Sequence, residues 1–119
     1  MTEQPPARDL VFYRIIRGAE PVLDDFRSAQ ALGKPLRNRK LIRQWSRGIS
    51  VYDDLNHAIG QVRLYQFKLG HRIVMLRIPA SAAIECEQWT TDLHHYTLYG
   101  EPKQLLRLVV GTPILIEKG

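Results

Sequence analysis

The run His94-His95-Tyr96-Thr97-Leu98-Tyr99-Gly100 puts imidazole, hydroxyl and phenol groups side by side. In an extended strand alternate residues share a face, so His95, Thr97 and Tyr99 form one row and His94, Tyr96 and Leu98 the other. Such a row can hydrogen-bond a ligand; it can equally be the wetted face of an antiparallel sheet. Ser50 and Tyr52 stand in Gly48-Ile49-Ser50-Val51-Tyr52, a short β-forming run that passes directly into a helical pattern, which delivers one of them to the strand's end. Arg14 lies among apolar neighbours in Leu10 to Ile16. An arginine keeps its charge, so on a core strand it must end in solvent or meet an anion, either a carboxylate or a ligand phosphate.

Other chemistries lack their residues. A zinc site needs three or four ligands, and His57, His71, Cys86 and the acids show no close ligand spacing, so no metal site is expected. Neither common phosphate-binding glycine loop occurs, nor a Gly-x-Ser-x-Gly elbow, nor His-Glu-x-x-His. Cys86 is the single cysteine, which precludes an intramolecular disulfide. Its neighbours Glu85 and Glu87 raise a thiol pKa and disfavour a nucleophilic role.

The 119 residues carry a net charge of +5, placed unevenly. Gly33 to Arg47 contains Lys34, Arg37, Arg39, Lys40, Arg43 and Arg47 with no acid. Arg37, Arg39, Lys40, Arg43 and Arg47 could contact phosphates, with Trp45 available to stack on a base, so a nucleic-acid-binding or RNA-cleaving module is one functional expectation. A non-enzymatic interaction protein, such as half of a toxin–antitoxin pair, is another. An apolar fraction of 45% and a charged fraction of 24% suit an ordinary globular domain. No apolar run approaches the roughly 20 residues of a membrane span, and the N-terminal residues show no secretory pattern, so a cytoplasmic location without membrane attachment is expected.

The elements that must position these residues follow from periodicity. Residues 1–9 read as a flexible tail and 10–119 as a single α+β domain, with a mixed or largely antiparallel sheet and two to four helices. Leu10 to Ile16 is a buried strand. Pro21 opens a short amphipathic helix through Leu23 and Phe26 that ends near Gly33. Asn38 caps a second, bearing Leu41, Ile42 and Trp45. The stretch Trp45 to Ala58 combines a turn, a strand and a helix start, with Asp53 as the N-cap and a helix from Asp54 to about Phe67. Beyond Gly70 the period becomes two: strands are expected at His71 to Ile78, Ala82 to Gln88, Leu93 to Tyr99 and Pro113 to Glu117, with one helix from Pro102 to Leu108.

In chain order, Tyr13-Arg14-Ile15 on the first strand, Ser50 on a strand that feeds a helix, and Glu85-Cys86-Glu87 resemble the arginine, Ser-Thr-Ser and Glu-x-Glu series of ADP-ribosyltransferases. The resemblance implies an ADP-ribosyltransferase-like fold and NAD as cofactor. Arg14 would hold phosphate and ribose, Ser50 would buttress the pocket, and Glu87 would stabilise the positive charge developing on the ribose. Val51 and Tyr52 stand where that series has Thr-Ser. Tyr52 resembles the tyrosine of a second branch, whose histidine, tyrosine and glutamate stack on nicotinamide; the first-strand histidine of that branch is absent. The candidate assignment is therefore catalytic Glu87 and Tyr52, with Arg14, Ser50, His95 and Thr97 on the cofactor. Glu85 and Glu101 are rivals for the acidic role.

Overall fold

Strand β1 (Leu10–Ile16) forms where β-branched and aromatic residues were concentrated, and it lies near the middle of a six-stranded sheet. The computed structural model describes residues 8–118, so most of the expected tail lies outside the described residues. After β1 come a 3-10 turn (Leu23–Phe26), a second 3-10 turn (Arg39–Leu41), helix α1 (Ile42–Arg47), β2 (Ile49–Tyr52) and α2 (Leu55–Leu64). Then follow β3 (Arg72–Ile78), β4 (Glu85–Gln88), β5 (His95–Tyr99), α3 (Pro102–Arg107) and β6 (Val109–Leu115). The sheet order is β4-β5-β2-β1-β3-β6, with every neighbouring pair antiparallel. The chain is thus an α+β domain with three α-helices among the described residues. No helix among them is long and apolar enough to cross a membrane.

Alternation along the strands gives the sheet two cores. One face buries Phe12, Ile16, Val51, Val74, Leu76 and Leu98 beneath Phe26 of the first 3-10 turn and Leu105 of α3. The other buries Ile15, Tyr52 and Ile73 beneath Ala58 and Val62 of α2.

Several expected elements differ. The helix expected from Pro21 to Gly33 is only the 3-10 turn Leu23–Phe26, after which Arg27 is extended (φ −85°, ψ 146°). A continuing α-helix would give the Asp25 carbonyl to an N–H four residues on; that carbonyl instead accepts from Arg14 Nε at 2.9 Å. The N-cap of α2 is Asp54 and not Asp53: an Asp54 carboxylate oxygen accepts from the His57 N–H at 2.8 Å, while the Asp53 carboxylate meets His94 Nδ1 at 2.8 Å. Helix α2 stops at Leu64, short of Phe67, because Gln66 and Phe67 turn left-handed (φ 53° and 61°) and bring the Phe67 ring onto the α2-side core. Gly70 follows at φ 142°, where a Cβ would sit 2.1 Å from the Ile16 carbonyl oxygen, so only glycine fits.

β6 begins four residues earlier than expected and carries a bulge opposite β3, with Gly111 at φ 74° and Pro113 inside the strand. β4 is shortened to its last four residues, and β5 starts at His95.

Candidate functional site

β1 is zipped to β3 through seven residue pairs but to β2 through one, Tyr13 opposite Tyr52. Beyond that pair the two strands part. The Arg14 side chain occupies the parting: Nε donates to the Asp25 carbonyl at 2.9 Å and NH1 to the Ser50 carbonyl at 2.8 Å. Burial pulls the guanidinium below its ordinary pKa, against the opposing pull of Asp25 and Tyr52. The Ser50 carbonyl is thus satisfied by a side chain instead of by β1.

The parting opens into a cleft of about 750 Å³. Its floor is an aromatic tier. The His95 imidazole stacks on Trp89 at 4.4 Å between centroids and 7° between planes, and on Tyr52 at 5.1 Å and 28°. Burial drives the His95 pKa down to about 4, so the ring is neutral at pH 7, and its Nε2 is buried without a hydrogen-bond partner. Burial likewise pushes the Tyr52 hydroxyl up to about 12. Tyr52 is therefore a donor, not a base. Trp89 is pinned through Nε1 to the Thr97 hydroxyl at 2.9 Å, and its backbone N–H continues the β4–β5 pairing to the His95 carbonyl at 2.8 Å. The turn between them is clasped to the start of α2 by His57 against Asp92 (2.7 Å) and His94 against Asp53 (2.8 Å).

The walls carry charge. Arg17, Lys34 and Arg37 line the cleft and are exposed; of the two acids in the lining, Asp24 is paired with Arg27 and the Asp25 carboxylate accepts from the Val22 N–H at 2.8 Å. Leu32, Leu36, Trp45, Tyr65 and Leu69 supply apolar surface around them. Trp45 fixes the wall formed by residues 28–38, donating from Nε1 to the Lys34 carbonyl at 2.8 Å and accepting at its own carbonyl from Gln30 at 2.9 Å. Gly48, between α1 and β2, allows the α1–β2 corner to press on β5: a Cβ there would lie 2.3 Å from Thr97 Cγ2.

Comparison with protein-family models, curated proteins and solved structures finds no match. Function must be argued from the cleft.

Of the residues singled out in the sequence, Arg14, Ser50, Tyr52 and His95 converge on this cleft, joined by Arg37 and Trp45 from the basic run. Thr97 lies outside the lining: it is 1% exposed and its hydroxyl accepts from Trp89 Nε1. Glu87 lies outside the lining. One carboxylate oxygen accepts from the Tyr99 hydroxyl at 2.6 Å and from Gln44 Nε2 at 3.1 Å. Burial, followed by that bond to Glu87, pushes the Tyr99 pKa to about 12. Glu85 is paired with Arg43, which stacks its guanidinium 4.1 Å from the Tyr99 ring centroid. Glu101 borders a separate, smaller depression with Arg27 and Arg47. Arg39, Lys40 and Arg47 are exposed and outside the main cleft. Cys86 is a free thiol whose pKa is raised by burial and then by Glu85. No group of three or more His, Cys, Asp or Glu among the described residues is placed to hold a metal ion.

Trp89 and Gln44 escaped the sequence reading. Extending the alternation of Glu85 and Glu87 by one more step puts Trp89 on the same face, opposite His95, and that was the available signal. Gln44, inside a run dominated by cations, gave none.

Proposed function

We propose that the chain binds a nucleotide of the NAD type in this cleft, as a member of the ADP-ribosyltransferase-like folds. The observation that carries the reading is the parting of β1 and β2 around Arg14. A guanidinium fixed by two carbonyls still has N–H donors to offer, and their planar arrangement suits phosphate oxygens. Arg17, Lys34 and Arg37 add positive potential on the walls, and Trp89, His95 and Tyr52 offer ring surface for a base or a pyridine. Cations beside an aromatic tier are what a dinucleotide requires.

Transfer of ADP-ribose is the sharper form of the reading. Its transition state needs negative charge near the ribose, and Glu87, held by Tyr99 and Gln44, does not line the cleft. The proposal therefore rests on binding, and Glu87 is given no direct contact with the reacting atoms. Calorimetric titration with ADP-ribose and NAD is the test. Wild type is expected to bind both, and Arg14→Lys to bind at least tenfold more weakly, a change of about 1.4 kcal/mol. Absence of heat for wild type at millimolar ligand, or equal affinity in the variant, would reject the reading.

A second reading has its own observation. Arg39, Lys40 and Arg47 remain exposed outside the cleft, and of the basic run's cations Arg43 is drawn into pairing with Glu85. These exposed cations, in the same basic run as Arg37 on the cleft wall, favour a nucleic acid lying across that rim.

A further inference from the structure

Gln44 is the one residue common to the cleft lining and to the polar network behind it. Its Nε2 donates to a Glu87 carboxylate oxygen at 3.1 Å. That bond settles the orientation of the amide, because the reverse arrangement would set oxygen against oxygen. The other arm, Oε1, is buried and has no hydrogen-bond partner. Glu87 cannot easily release Nε2, since the same carboxylate is held by the Tyr99 hydroxyl at 2.6 Å and faces Arg43 NH1 at 3.9 Å. In the same cleft, His95 Nε2 is buried without a partner on a ring that is neutral at pH 7. Buried polar atoms left unpaired are rare in folded proteins, and one such atom at a binding surface points to a ligand group. Here two such atoms belong to residues that line one cleft.

We infer that Gln44 selects the ligand by accepting a hydrogen bond from an N–H₂ group on a planar nitrogen-containing ring, and that Glu87 is the positioning residue that presents it. This rests on the nucleotide reading of the cleft. The aromatic tier of Trp89, His95 and Tyr52 holds the ring by its face, and Gln44 Oε1 reads the N–H₂ at its edge. Two sources carry that chemistry: the carboxamide of a nicotinamide and the exocyclic amine of adenine. A site built to hydrogen-bond a polar group rejects strongly the analogue that lacks it, because its own buried atom is then left unpaired. Glu87 thereby acquires a function at a distance. It fixes which arm of the Gln44 amide faces inward, which a carboxylate can do and an alanine cannot.

The test is fluorescence titration, with Trp45 and Trp89 as reporters, using four probes: NAD, its nicotinic-acid counterpart, AMP and IMP. The nicotinic-acid dinucleotide replaces the carboxamide by a carboxylate, and IMP replaces the exocyclic amine by a carbonyl. Wild type is expected to prefer the N–H₂-bearing member of one pair by at least tenfold, and the pair that discriminates identifies the source. Gln44→Met is expected to bring that ratio close to one. Glu87→Ala is expected to do the same, and Glu87→Gln, which keeps an oxygen to accept from Gln44 and Tyr99, to restore it. A fold defect alone lowers all affinities together and leaves the ratio intact, which would overturn the assignment. Binding of ADP-ribose with equal affinity within both pairs would overturn Gln44 as selector and leave the nucleotide reading standing. If no probe, ADP-ribose included, binds wild type, both readings fall.

Discussion

His95 lies between the indole of Trp89 and the phenol of Tyr52, where a proton would create a buried cation in an aromatic stack. Unfolded, the imidazole takes a proton near 6.5; folded, burial lowers this to about 4. Between those values the unfolded chain binds more protons, so the His95 contribution is intact above pH 6.5 and is lost as pH falls toward 4. His94 acts in the other direction. Its hydrogen bond to Asp53 raises its pKa above 6.5, so that contribution is present below 6.5 and fades as pH rises through the folded value. Urea midpoints measured from pH 4 to pH 8 should therefore fall on the acid side in wild type. In His95→Phe, which keeps the stack without the titration, the acid-side fall should flatten.

At the level of elements, the start of α2 separates two adjacent aspartates that the sequence made look alike. Asp54 caps the helix, accepting from the His57 N–H. Asp53 pairs across to His94, half exposed. Asp54→Ala should therefore lower stability by about 1 kcal/mol at all pH values where the carboxylate is ionised. Asp53→Ala should cost clearly less than that, because the pair is solvent-screened, and less still once His94 is neutral. Chemical denaturation of both variants at pH 6 and pH 8 distinguishes them. What the sequence disclosed followed the range of the forces involved. β1, β2 and β3 were legible because alternation is local, and α3 because Pro102 at its start is a local signal. The segment after Pro21 was misread because the bond that stops it comes from Arg14, eleven residues before Asp25 and on strand β1. Arg14, Ser50, Tyr52 and His95, singled out by type and face, fall together on the lining of the cleft. Gln44 and Trp89 were not, since their roles depend on the β4–β5 register and on α1 folding over it.

For the molecule as a whole, charge and topology set which surfaces can recruit. The exposed cations Arg39, Lys40 and Arg47, with Arg37 at the cleft, should give nucleic-acid binding that falls steeply with salt. Filter binding or anisotropy with single-stranded RNA and DNA at about 50 and 200 mM salt checks this, and a combined Arg39→Ala, Lys40→Ala, Arg47→Ala variant should flatten the slope. If neither nucleic acid binds wild type at the lower salt, the rim is a solvated surface. The sheet's margins matter as well. β4 is four residues long with Glu85 and Glu87 on it, and β6 is interrupted by the Gly111 bulge and by Pro113, which has no N–H to give. Neither margin is a good template for a further strand. Sheet growth from one molecule to the next, the route by which exposed β-edges seed fibrils in a crowded solution, is thus obstructed at both ends.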